Sequence, residues 1–162
     1  QALSHKEYLA FLHLILDTDC ADLLDIEFFT AGADLPKLVE QAHSTGVAVV
    51  CSSHDFAKTP PRAELVSRMV QMQQAGADLP KLAVMPRCRT DVLELLTATA
   101  EMADHHPETP VITMSMGALG AVSRLAGETF GSAMTFANPG QASAPGQVSL
   151  DIVNEVLNAL HL

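Results

Sequence analysis

A lysine inside an apolar strand, a histidine at the end of another and two acids alternating along a third are the residues of this sequence with the means to do chemistry. Lys81 lies in Asp78-Leu79-Pro80-Lys81-Leu82-Ala83-Val84-Met85-Pro86, where one cation interrupts a run that otherwise reads as a buried parallel strand. Burial disfavours an ammonium ion, and a lysine that sheds its proton is a nucleophilic amine able to form a Schiff base. Taken alone, a lysine flanked by apolar residues more often snorkels its amine into solvent. Its neighbours change that balance. The preceding run, Val47-Ala48-Val49-Val50-Cys51-Ser52-Ser53-His54-Asp55-Phe56, ends in a histidine where a loop should begin. The C-terminal ends of strands are where α/β proteins carry catalytic groups, and an imidazole can both take and return a proton near neutrality. One strand earlier, Asp22-Leu23-Leu24-Asp25-Ile26-Glu27-Phe28-Phe29 alternates acids with apolar residues, so Asp25 and Glu27 share a face. A carboxylate on that face could orient and charge-balance His54, although a solvated edge strand shows the same alternation.

These residues need strands and helices in strict succession to be brought together, and the sequence supplies them. Ser4-His-Lys-Glu7 is a capping box that opens a helix running to about Leu16. A strand over 23–29 follows, then a helix over 35–44 closed by Gly46, then a strand over 47–52. Thr59 caps and Pro60 starts a helix to about Ala75, with Gly76 closing it. A strand over 82–85 precedes a helix that Thr90 caps and that runs to about Ala103. The spacing then predicts a strand over 110–116, a short helix over 119–125 and a last strand over 133–137, before Ser149 opens a final helix ending near Leu160. Five short apolar strands alternating with helices predict a parallel sheet covered by helices, a segment of a (β/α) barrel forming one domain over 1–162. A closed barrel of this type takes eight strands in about 250 residues.

Six motifs resemble, in order and essentially end to end, those of type I 3-dehydroquinate dehydratase. They are Asp25-Ile-Glu27, Ser53-His54-Asp55-Phe56, Pro80-Lys81-Leu-Ala-Val-Met-Pro86, Thr113-Met114-Ser115-Met116-Gly117, Ser123-Arg124-Leu-Ala-Gly127 and Ala142-Ser143-Ala-Pro-Gly146-Gln147. The resemblance implies a shikimate-pathway lyase in which a lysine forms an imine with the C3 ketone of 3-dehydroquinate. A histidine then removes a C2 proton, and the C1 hydroxyl leaves as water to give 3-dehydroshikimate. Carried over, Lys81 is the imine former, His54 the acid and base, and Glu27 the carboxylate that positions His54. Arg124 matches an arginine that grips the substrate carboxylate, a role suited to a planar, permanently charged fork. Ser143 and Gln147 match a loop that closes over the substrate. Met114 and Met116 match methionines lining the pocket, although a methionine pair on a strand is ordinarily core.

The family's fold is the full (β/α)8 TIM barrel, and the resemblance covers its C-terminal five units, without the first three strands and first two helices. Gln1, in place of an initiating methionine, favours a missing upstream part. In the family the absent strands supply a glutamate and two arginines that contact the substrate. Each lost charge-assisted hydrogen bond costs on the order of 1.5–3 kcal/mol, so the isolated chain is expected to be impaired or inactive. Two other readings stay open: a non-catalytic oligomeric homologue that binds a small carboxylate, and a different, aldolase-like Schiff-base lyase. An open barrel exposes two strand edges, and such edges pair with other chains. The expectation is a homo-oligomer, or completion by a separate N-terminal segment.

Composition narrows the partners. A formal net charge of -10 argues against nucleic acid and acidic membranes, leaving Lys81 and Arg124 to make a local positive site for a small anionic substrate. Cys20, Cys51 and Cys88 are odd in number and scattered, which reads as free thiols in a reducing cytoplasm. No apolar run is long enough to span a membrane, and the N-terminus lacks the pattern of a signal peptide. No His/Cys/Asp/Glu cluster has metal-ligand spacing; His105 and His106 are adjacent and fit the end of a solvent-facing helix. Imine chemistry calls for neither metal nor diffusible cofactor, and none is expected.

Overall fold

The computed structural model describes residues 3–18, 20–140 and 145–160. Four parallel strands lie in chain order: β1 (Leu23–Glu27), β2 (Ala48–Asp55), β3 (Leu79–Val84) and β4 (Ile112–Ser115). Helix α1 (His5–Leu16) precedes β1, and its capping box is formed, with Glu7 accepting from the Ser4 backbone N–H at 2.8 Å. The short α2 (Phe28–Ala31) and α3 (Leu35–Ser44) join β1 to β2, α4 (Arg62–Gln74) joins β2 to β3, and α5 (Arg89–His105) joins β3 to β4. After β4 come α6 (Ala121–Leu125) and α7 (Leu150–Leu160).

Both faces of this sheet are apolar, which is why its strands read as unbroken hydrophobic runs. Leu24, Ile26, Val49, Cys51, Leu82 and Val84 face the helices and pack with residues such as Leu38, Leu65, Met69 and Leu95. The alternate residues Val50, Ala83, Ile112 and Met114 form a smaller cluster on the inner face. Period-two alternation therefore assigns Ser52, His54 and Lys81 to the inner face. Gly46 and Gly76, both left-handed, follow α3 and α4 as expected.

The fold class needs one correction: the sheet has four strands, not five. The spacing predicts a strand over 133–137, but that segment touches the sheet through a single parallel bridge, Val111 to Ser132, with Ala133 N–H donating to the Val111 carbonyl at 2.8 Å. The next donor of β4, Thr113 N–H, is taken by the Ser132 hydroxyl at 3.1 Å rather than by a backbone carbonyl. A side chain thus occupies the place of the next rung, and the ladder stops.

Several boundaries also move, two of them at the site. β2 continues through His54 to Asp55, and β3 begins at Leu79, so His54 and Lys81 both sit within ladders rather than at their margins. The sheet end of 23–29 instead turns into α2, α4 begins at Arg62 after Pro61, and Cys88 rather than Thr90 caps α5 together with Asp91.

Candidate active site

The strand register sets Glu27, Ser52, Lys81 and Ile112 side by side in one row across the sheet, with His54, Ala83 and Met114 in the next row toward the strand C-termini. His54 Nδ1 is 2.5 Å from Glu27 Oε1, so the imidazole reaches back one row and across one strand to its acid. Lys81, 8% exposed, likewise reaches back one row, here across two strands, and donates from Nζ to Asp25 Oδ2 at 2.6 Å. The ring of Phe136 lies 5.1 Å from the same nitrogen, a cation–π contact.

Above these groups is a cavity of about 250 Å³. Lys81, His54, Met114, Met116, Arg124 and Gln147 all line it, joined by Phe56, Ala83, Phe136 and Pro145. Glu27 takes part through His54. Ser143 lies outside the described residues. A cavity of similar size lies on the far side of Arg124, among Gly127, Glu128, Ser132 and Leu157, but it contains neither Lys81 nor His54. The chemistry belongs to the first.

Arg124 is carried by α6, which Ser123 ties to the end of β4 by accepting from Ser115 N–H at 2.8 Å and donating to the Gly120 carbonyl at 2.7 Å. The guanidinium is 1% exposed and weakly satisfied. Its Nη1 faces the Met114 sulfur at 3.6 Å, its Nη2 the Pro145 carbonyl at 3.4 Å, and its Nε has no partner among the described residues. Burial lowers its pKa, yet a guanidinium remains charged at any working pH, and a buried cation so poorly paired favours an incoming anion. The Pro145 carbonyl also accepts from Gly117 N–H at 3.1 Å. Gly146 comes so close there that a Cβ on it would stand 2.3 Å from the Gly117 carbonyl oxygen, and its φ of +76° is left-handed.

Two carboxylates stand on the inner face beside the cavity, and a thiol lies behind them on the helix face of the sheet. Asp25 was legible as an inward-facing acid from the Asp25-x-Glu27 alternation, but its contact with Lys81 was not, because it crosses two strands. Cys51 is fully buried, and its thiol is pushed up to about 12 by burial first and then by the Asp25 and Glu27 carboxylates. From outside, the Tyr8 hydroxyl on α1 accepts the Glu27 backbone N–H at 2.9 Å. Neither Tyr8 nor Phe136 carries a sequence signal, since neither belongs to a motif and Phe136 falls in the strand that does not form. Among the described residues, no group of three or more His, Cys, Asp or Glu side chains could hold a metal ion.

An inner-face lysine and histidine, each with its own carboxylate, beside a buried arginine, is the arrangement on which the family comparison bears. Residues 1–162 match the family described as type I 3-dehydroquinase. The chain belongs to the type I 3-dehydroquinase family. The 3-dehydroquinate dehydratase of Salmonella agona (strain SL483) is 48% identical over 161 residues, which are 99% of this chain and 64% of that protein. The crystal structure of type I 3-dehydroquinate dehydratase from Clostridium difficile, with covalently modified comenic acid, matches with a TM-score of 0.94 and 47% identity over 99% of this chain and 63% of the other. The 3-dehydroquinate dehydratase of Geobacillus kaustophilus HTA426 matches with a TM-score of 0.93 and 41% identity over 98% of this chain and 61% of the other. This type I 3-dehydroquinase chain therefore spans a little under two thirds of the length of those relatives. Its four-stranded parallel α/β arrangement agrees with theirs, and none of its described helices is long and apolar enough to cross a membrane.

Proposed function

We propose that this chain carries the Schiff-base half of a 3-dehydroquinate dehydratase site. Lys81 Nζ leaves Asp25, adds to the C3 ketone and expels water to give an iminium. That positive nitrogen acidifies C2, and His54 removes the C2 proton through Nε2, because Nδ1 is committed to Glu27. The electron pair released at C2 moves toward the iminium to give an enamine. Its collapse expels the C1 hydroxyl, which takes the proton back from His54 and leaves as water. Hydrolysis of the conjugated imine frees Lys81 and 3-dehydroshikimate. Arg124 receives the substrate carboxylate, Gln147 and Ser143 belong to the covering loop, and Met114 and Met116 supply an apolar wall. The observation that carries this reading is one cavity holding Lys81, Arg124 and a His54 already engaged by Glu27.

The isolated chain is proposed to be impaired in turnover and to work, if at all, as a self-associated or completed assembly. β1 has a partner on one side only among the described residues; Leu23 on it is exposed, as are Leu3, just ahead of α1, and Phe11 and Leu14 on α1. Beyond the other end, Met134, Phe136, Leu150 and Ile152 are also exposed. Sedimentation would reveal an oligomer, and added N-terminal segment of a relative would raise the rate if completion is what it needs.

The deciding experiment is borohydride reduction in the presence of 3-dehydroquinate, read by mass spectrometry, beside a direct assay for the conjugated product. A covalent adduct that disappears in Lys81→Ala supports the proposal; an adduct that survives that substitution overturns the lysine assignment. A binding-only reading draws on the Lys81–Asp25 ion pair, which keeps the nitrogen occupied. It would be selected by saturable carboxylate binding with no adduct.

A further inference from the structure

We propose that Tyr8 is a positioning residue for His54, acting through Glu27. It rests on the dehydratase reading for what His54 does, though not for the contacts themselves. Glu27 is the last residue of β1 and the one from which α2 departs. Among the described residues β1 is hydrogen-bonded on one side only, to β2. At its catalytic end the outward backbone N–H of Glu27 donates to the Tyr8 hydroxyl at 2.9 Å, so a side chain from α1 does at this point what a neighbouring strand would do.

The need for such an anchor follows from the side chain it serves. The Glu27 side chain is 40% exposed, yet it must hold one oxygen 2.5 Å from His54 Nδ1. A long carboxylate hung from the frayed end of an edge strand would lose that geometry to rotamer and backbone freedom. Tyr8 removes the backbone part of that freedom. Its own support is rigid, because α1 is stapled by the Ser4–Glu7 capping box and buries Leu12 and Leu16, and the phenol ring packs against the helix-side core. Burial is the largest influence raising the Tyr8 pKa, and the Glu27 and Asp25 carboxylates add to it, so the phenol stays un-ionised through the neutral range. The contact thus runs from α1 to the base: Tyr8 oxygen, Glu27 backbone, Glu27 carboxylate, His54.

Tyr8→Phe deletes one oxygen and keeps the ring. Proton NMR on the substrate-free chain reads the Nδ1 proton that His54 shares with Glu27, with Glu27→Gln marking its loss. In Tyr8→Phe the exchange of that proton with water is expected to speed up by about tenfold, the equivalent of one lost hydrogen bond. With 3-dehydroquinate in deuterated water, C2 proton exchange falls by a similar factor while borohydride trapping at Lys81 keeps its wild-type rate. Leu12→Val, a core change on the same helix, controls for loosened packing. An unchanged Nδ1 proton in Tyr8→Phe, or equal loss in Leu12→Val at matched thermal stability, would overturn the proposal. If wild type gives neither adduct nor C2 exchange, the dehydratase reading fails, and the NMR comparison still decides the role of Tyr8.

Discussion

The two halves of the site are built by different means. His54 and Lys81 stand on adjacent central strands, Lys81 paired on both sides and His54 with β3, and each is held by one carboxylate. Arg124 and Gln147 come from a five-residue helix and a loop, and the loop is fixed by Pro145, whose one carbonyl serves both Gly117 and Arg124. Ladders fix a side chain to fractions of an ångström without further help, and loops do so only through specific contacts that a ligand can exchange. The strand half is therefore suited to bond making, and the loop half to recognising and retaining an anion.

Substitutions in the loop half should change affinity while sparing the covalent step. The largest such effect belongs to Arg124→Lys, which keeps the charge but loses the planar fork. The 3-dehydroquinate concentration giving half-maximal borohydride trapping should rise roughly 10- to 150-fold, the cost of one or two charge-assisted bonds, with the adduct yield at saturation retained. A fall in saturating yield instead would show that the arginine also aligns the ketone. Gly146→Ala comes next: it forces a left-handed alanine against the Gly117 carbonyl, and the same titration should shift by about tenfold. Unchanged trapping would mean that the loop does not need this contact.

The smallest effect tests the strand half at its opposite pole. Asp78, ahead of β3, accepts from Val49 N–H at 2.7 Å and from His43 at 2.9 Å. Partial burial would raise its carboxyl, but those two bonds outweigh it and hold the group below the ordinary value of 3.8. A depressed carboxyl stabilises the fold above its unfolded value, and that contribution disappears as pH falls through the folded one. Asp78→Asn should therefore lower the melting temperature by a few degrees at pH 7, with the gap from wild type closing below about pH 3.8. A gap that persists in acid would trace the loss to packing. Imine trapping should be unaffected throughout.

The same division explains what could be read from the residues alone. The helix caps at Ser4 and the glycines at 46 and 76 are local signals and were legible, as was the alternation that turns Asp25 and Glu27 inward. His54 and Lys81 stood out because each is a polar residue in an apolar run. The strand expected over 133–137 was not legible as irregular, because its composition suits a strand and only the Ser132 hydroxyl, meeting Thr113 N–H, stops the ladder. Tyr8 and Asp25 depend on contacts between residues 19 and 56 positions apart, which no local pattern encodes.

The buried thiol on the helix face of the sheet leaves a practical opening. With Cys51 sealed and un-ionised at neutral pH, a maleimide dye meets only the exposed Cys20 and Cys88. One reporter then sits just ahead of β1 and the other on the rim where β3 leads into α5. A chain docking along the β1 edge would change the emission of the first and leave the second dark to the event, so the unaltered protein already carries both a sensor and its reference.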